Sequence, residues 1–188
     1  MKYYRLTAET CIEEYVRPGI ELMESLGTGC ANSEFQYLDH DDLEIEIDDA
    51  SGMEFPDFLL NYSIPLISDR FKKLLDLSQV DNLFYKRVVL TARALGVKEY
   101  YWLALPPRIN CLNWQRSQLE VEDNPYVPEQ ELMRRATNIV VNSPAVGNYQ
   151  IFKISFVENQ DIIITEALYR VLAKANLTNV YFREMKGE

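Results

Sequence analysis

One histidine, three cysteines and a dense run of carboxylates are the side chains in this chain that could do chemistry. His40 sits in Asp39-His40-Asp41-Asp42, a grouping of the kind that holds a divalent metal. Metal phosphohydrolases build such centres from several histidines, and this sequence holds no second one. A Cys30/His40 nucleophile–base pair is open on paper, but neither a nucleophile elbow nor an oxyanion loop accompanies it. Cys11, Cys30 and Cys111 are odd in number and form no Cys-x-x-Cys pair, which reads as reduced thiols of a cytoplasmic protein. Gly27-Thr28-Gly29 lacks the Lys and the third Gly of a phosphate loop. Trp102 and Trp114 could stack a ligand, although core or interface anchoring is the commoner use. We therefore expect no enzyme, no cofactor and no metal. A small metal-dependent hydrolase built on residues 39–42 stands as the alternative.

The acids are more informative as a pattern. Asp42-Leu43-Glu44-Ile45-Glu46-Ile47-Asp48 alternates strictly, and successive side chains of a strand point to opposite faces. Leu43, Ile45 and Ile47 are expected inside, with Asp42, Glu44, Glu46 and Asp48 in one outward ridge. No basic residue close in sequence relieves their repulsion. A solvated outer face, a charged edge strand that resists aggregation, or a docking surface for a basic protein would each explain it. Calcium would want oxygen ligands wrapped around a loop, and a straight strand does not wrap. The candidate partner-binding residues are Asp39, Asp41, Asp42, Glu44, Glu46, Asp48 and Asp49.

Charge over the whole chain agrees with this focus. Among 188 residues, 19 Lys and Arg against 29 Asp and Glu leave a net −10. From Pro18 through Asp69 there are 13 acids and no Lys or Arg, so the rest of the chain carries 19 − 16, or +3. Nucleic-acid binding needs a clustered basic surface and is not expected; a basic partner is. No apolar run is long enough to span a membrane, and none follows Met1–Leu6 to make a signal peptide. With 47% hydrophobic and 12% aromatic residues the chain is globular.

The elements that must position these residues include an internal repeat. Residues 66–86 and 163–183 align without a gap, with identities at Ile67/Ile164, Leu75/Leu172 and Asn82/Asn179. Conservative pairs include Ser68/Thr165, Asp69/Glu166, Phe71/Leu168 and Lys86/Arg183. Each copy reads as a short strand, a Ser or Thr cap followed by an acid, an amphipathic helix ending near Leu77 or Ala175, and an aromatic strand. Strands are expected at Lys2–Leu6, Glu99–Leu105, Asn138–Val141 and Tyr149–Phe156, with turns at Ser143-Pro144 and Gly147-Asn148. Short helices are expected at Ile20–Leu26 and Pro128–Arg135. The expected fold is a single α+β domain of two related strand–helix–strand units with a mostly antiparallel sheet. Residues 1–62 form its acidic N-terminal lobe, and residues 63–188 carry the repeat.

Several segments together resemble a family of bacterial immunity proteins from polymorphic-toxin systems. They are Met1–Leu6, the helix Ile67-Ser68-Asp69-Arg70-Phe71-Lys72-Lys73-Leu74-Leu75, the turn Ile109-Asn110-Cys111-Leu112-Asn113-Trp114-Gln115-Arg116-Ser117, the strand Gln150-Ile151-Phe152-Lys153 and the closing Ile163-Ile164-Thr165-Glu166. Asn110 and Asn113 stand where that family usually has Asp, and Lys153 where it usually has Arg. The resemblance implies a cytoplasmic protein that neutralises a cognate protein toxin by binding and occluding it. An adaptor for some other basic protein is the remaining reading. Oligomeric state is not legible from the sequence.

Overall fold

The repeat is the frame of the molecule. This computed structural model describes residues 1–10, 12–19, 42–48, 51–61, 64–92, 96–120, 135–157 and 161–185. Within them, β4 (Ile64–Ile67), α1 (Asp69–Leu77) and β5 (Phe84–Ala92) form the first unit. The second is β11 (Ile162–Thr165), α3 (Glu166–Lys174) and β12 (Tyr181–Glu184). Ser68 and Thr165 cap the two helices, their hydroxyls accepting from the Phe71 N–H at 3.1 Å and the Leu168 N–H at 3.5 Å. Both helices end on a left-handed residue at matched positions, Gln79 (φ 57°) and Asn176 (φ 49°). After α1 the Val80 N–H reaches the Leu75 carbonyl and the Gln79 N–H that of Asp76, which is a Schellman closure.

The matched units build matched sheets. In the first sheet the order is β12-β1-β11-β10-β7, with β1 at Tyr3–Thr7, β7 at Arg108–Ile109 and β10 at Ile151–Ile154. The second runs β2-β5-β6-β4-β3, with β2 at Leu43–Glu46, β3 at Phe58–Asn61 and β6 at Val97–Leu105. In each unit the two strands flank one antiparallel strand, β6 between β4 and β5 and β1 between β11 and β12. Thus β5-β6-β4-β3 and β12-β1-β11-β10 are equivalent strings, and only β2 and β7, both paired in parallel, are added. The α+β class, the two units and the mostly antiparallel pairing hold, with the strands divided between two sheets. Strand β8 (Gln118–Glu120) pairs with β9 (Arg135–Asn138) as a separate ribbon.

A shared core joins the halves. Phe71 and Leu75 of α1 and Leu168 and Leu172 of α3 cluster with Tyr4, Leu6, Phe58, Ile67, Ile151 and Ile164. The opposite faces of the sheets are covered too, by a cluster around Ile45, Leu66 and Leu103 and another around Phe152, Ile154 and Ile163. Strands β4, β10 and β11 are therefore buried along their whole length. The loop after each helix also crosses to the other half. The Asn82 amide donates to the Ile151 carbonyl at 2.8 Å, and the Asn179 amide to that of Phe58 at 2.9 Å. That reciprocal clasp explains why Asn is kept in both copies, which packing alone does not.

Some expected elements shift. Ser143–Val146 is a short helix, α2, instead of a turn, because Pro144 fits the first helical turn, where its missing N–H costs nothing. Pairing in the Asn138–Val141 region starts earlier, at Arg135–Asn138, and Val141 makes only a bridge to Leu112. Arg135, expected to end a helix, opens a strand. The Ile20–Leu26 helix and the remainder of the 128–135 helix lie outside the described residues.

Candidate partner-binding face

Strand β2 is the edge of the second sheet and runs parallel to β5, with Leu43, Glu44, Ile45 and Glu46 opposite Val88, Val89, Leu90 and Thr91. Ile45 and Ile47 are buried in the core and Leu43 packs against it, as the alternation required. Asp42, Glu44 and Asp48 are exposed and Glu46 is half-buried. The end of β2 is itself covered: the Gly19 N–H donates to the Glu46 carbonyl and the Asp48 N–H to that of Arg17, both at 2.9 Å. A Cβ on Gly19 would sit 2.7 Å from the Glu46 oxygen, so this approach needs glycine.

The ridge is not bare of cations. Arg87 on β5 meets Asp42 (3.4 Å), and Lys98 on β6 meets Glu44 (2.7 Å), which also accepts from the Thr91 hydroxyl (3.0 Å). The expectation of unrelieved repulsion is thus corrected for Asp42 and Glu44: the bases are distant in sequence but adjacent across the sheet. The Arg87 guanidinium also lies 4.2 Å from the centroid of the Tyr100 ring, which is 48% exposed. Toward α1 the same surface continues into Trp102, with the Lys72 ammonium over Tyr85 (4.6 Å) and Trp102 (5.3 Å), and the Trp102 N–H donating to Asp69. The result is a face of interleaved charges with aromatic rings among them. Exposed pairs of this kind contribute only about 0–1 kcal/mol each, so they are readily exchanged for a partner's groups.

Other candidates from the sequence have different places. Asp39, His40, Asp41, Asp49, Cys11 and Cys30 lie outside the described residues. Cys111 is buried, and desolvation pushes its thiol up to about 12, which makes it inert. Trp114 is 42% exposed and tilts against Phe156 at 6.5 Å. The segment around Asn113 is a structural turn. The Asn113 side chain accepts from the Arg116 N–H (3.2 Å), and the Ser117 hydroxyl accepts from the Val140 N–H (3.0 Å). Lys153 is fully buried on β10, in register with Arg108.

Two features escaped the sequence reading. Asp57, one of the 13 acids, is buried and accepts from Ser68, Arg70 and Thr178, tying the first helix cap to the second unit. Its setting between Pro56 and Phe58 was the available signal. Arg5 and Arg183 are the second, being cross-strand partners on β1 and β12. Arg183 was visible only as the repeat match of Lys86.

The described residues thus form an α+β scaffold of two interlocked units that carries a mixed-charge face with aromatic rings among the charges. A family model matches residues 16–187, and the chain belongs to the Immunity protein family (Imm11). The matched range takes in the acidic segment and omits β1. A comparison with curated proteins finds no match. No helix among the described residues is long and apolar enough to cross a membrane.

Proposed function

We propose that this chain neutralises the cognate toxin of a polymorphic-toxin system, in the cytoplasm, by binding it and occluding its active surface. The family membership across residues 16–187 is the observation that carries this reading. The docking face we assign is the exposed side of β2 with its neighbours: Asp42, Glu44, Glu46 and Asp48, together with Tyr100, and with Asp39, Asp41 and Asp49 adjoining in sequence. Net charge of −10 favours a basic toxin, and complementary charge raises association rates by orders of magnitude at low salt. The aromatic ring supplies apolar contact area that the carboxylates lack. The protein works as a binder and not as a catalyst.

The test is the association rate with the cognate toxin, for the wild type and for Glu44→Lys/Glu46→Lys/Asp48→Lys. The wild-type rate is expected to fall steeply between low and high salt, and the variant to associate at least about tenfold more slowly at low salt. An unchanged rate makes the ridge mere solvated surface.

A further inference from the structure

We propose that the recess over Arg5 and Arg183, on the first sheet, binds a small oxyanion of the phosphate or carboxylate class. The two arginines are direct partners in the β1–β12 register, so their side chains share one face. Like charges in that position destabilise a sheet, and something must offset them. Asp161 is the carboxylate at hand, its Oδ2 3.3 Å from Arg5 Nε. That oxygen is buried and makes no hydrogen bond, because the contact lacks the required geometry. Arg183 forms no ion pair or hydrogen bond among the described residues. Glu184, which follows Arg183, is paired with Lys2 at 2.7 Å. Two guanidiniums are therefore served by one poorly aligned carboxylate.

The surroundings make this a concave site. Arg5 and Arg183 line a recess of about 430 Å³ together with Gln118 and Asn138 of the β8–β9 ribbon, Ile139, Met185 and Glu184. They also line an adjoining recess of about 260 Å³ that contains Asp161. Small-ligand pockets start at about 300 Å³. Guanidinium groups present forked N–H donors that match the spacing of two oxyanion oxygens, and amide side chains add neutral donors. Burial raises the Asp161 carboxyl above the usual range while Arg5 and Arg183 pull it back, so both cations act at this point. In a protein of net −10, two adjacent guanidiniums that share one loosely aligned carboxylate are what an incoming anion would need.

The experiment titrates the full chain with inorganic phosphate, pyrophosphate and succinate by calorimetry at low salt; it needs no toxin, so it stands or falls apart from the proposed function. Saturable binding of at least one probe is expected, and the phosphates against succinate decide which chemistry is preferred. Arg183→Gln should weaken that binding by roughly tenfold or more, since a charge-assisted contact is lost. Asp161→Asn should tighten it, because the internal competitor is gone. Circular dichroism checks that both variants fold, and if Arg183→Gln does not, Asp161→Asn alone decides. Absence of saturable binding below about 10 mM, equal binding by Arg183→Gln, or no gain in Asp161→Asn overturns the proposal.

Discussion

Replacing Asp57 by Asn probes the joint between the two units at one atom pair. The carboxylate is 8% exposed. Its Oδ1 accepts from the Ser68 hydroxyl at 2.6 Å, and its Oδ2 from Arg70 Nη1 (3.1 Å), the Thr178 N–H (2.9 Å) and the Thr178 hydroxyl (3.2 Å). If Oδ2 becomes the amide nitrogen it faces the N–H donors of Arg70 and Thr178; if Oδ1 does, it can donate to the Ser68 hydroxyl oxygen, but the Ser68 proton then loses its acceptor. A stranded buried donor costs about 1–3 kcal/mol, while the half-exposed Arg70, which also donates to the Asn176 and Ala175 carbonyls, adds little. We expect a loss of about 3 kcal/mol in urea unfolding, which at this chain length lowers Tm by roughly 6–12 °C. Asp57→Asn combined with Thr178→Ala should cost less than the sum of the singles by about 1 kcal/mol or more. A loss below about 1 kcal/mol, or strict additivity, would refute the claim that this carboxylate ties the halves together.

Three further outcomes follow from local geometry. Gln79→Gly should stabilise the fold by about 0.5–1 kcal/mol in chemical denaturation, because Gln79 holds a φ of 57° that glycine adopts without strain. Gly52→Ala should destabilise it by about 1–3 kcal/mol, since a Cβ there would fall 2.0 Å from the Glu14 carbonyl. Folded Asp161 holds its proton more tightly than the unfolded chain does. Its contribution is therefore favourable at low pH and is lost as pH rises from about 3.9, the unfolded value, through the higher folded one. Comparing stability against pH for Asp161→Asn and wild type should remove that downward step.

The repeat was legible because it is local. Caps, helix faces and strand starts depend on residues within a turn or two of each other, and Ser68, Thr165, Phe71 and Leu168 did what their spacing required. The alternation of Leu43, Ile45 and Ile47 was readable for the same reason. What stayed hidden is long-range. Arg87 and Lys98 relieve Asp42 and Glu44 across a sheet whose register no short window contains. The clasp of Asn82 on Ile151 and of Asn179 on Phe58 depends on two distant segments meeting. Burial of Asp57 and pairing of Arg5 with Arg183 likewise emerge only when the strings of strands are assembled. Pro144 misled in the other direction: as a residue it signals a turn, and its position after Asn142-Ser143 starts a helix.

A titration of the toxin's activity with increasing amounts of this protein bears most directly on neutralisation by occlusion. Residual activity should fall linearly and vanish at a fixed molar ratio, with the two proteins recovered as an intact complex. Loss of activity that continues with time at a small fraction of that ratio would mean turnover instead of binding, and undiminished activity at excess would mean that the toxin is not its target.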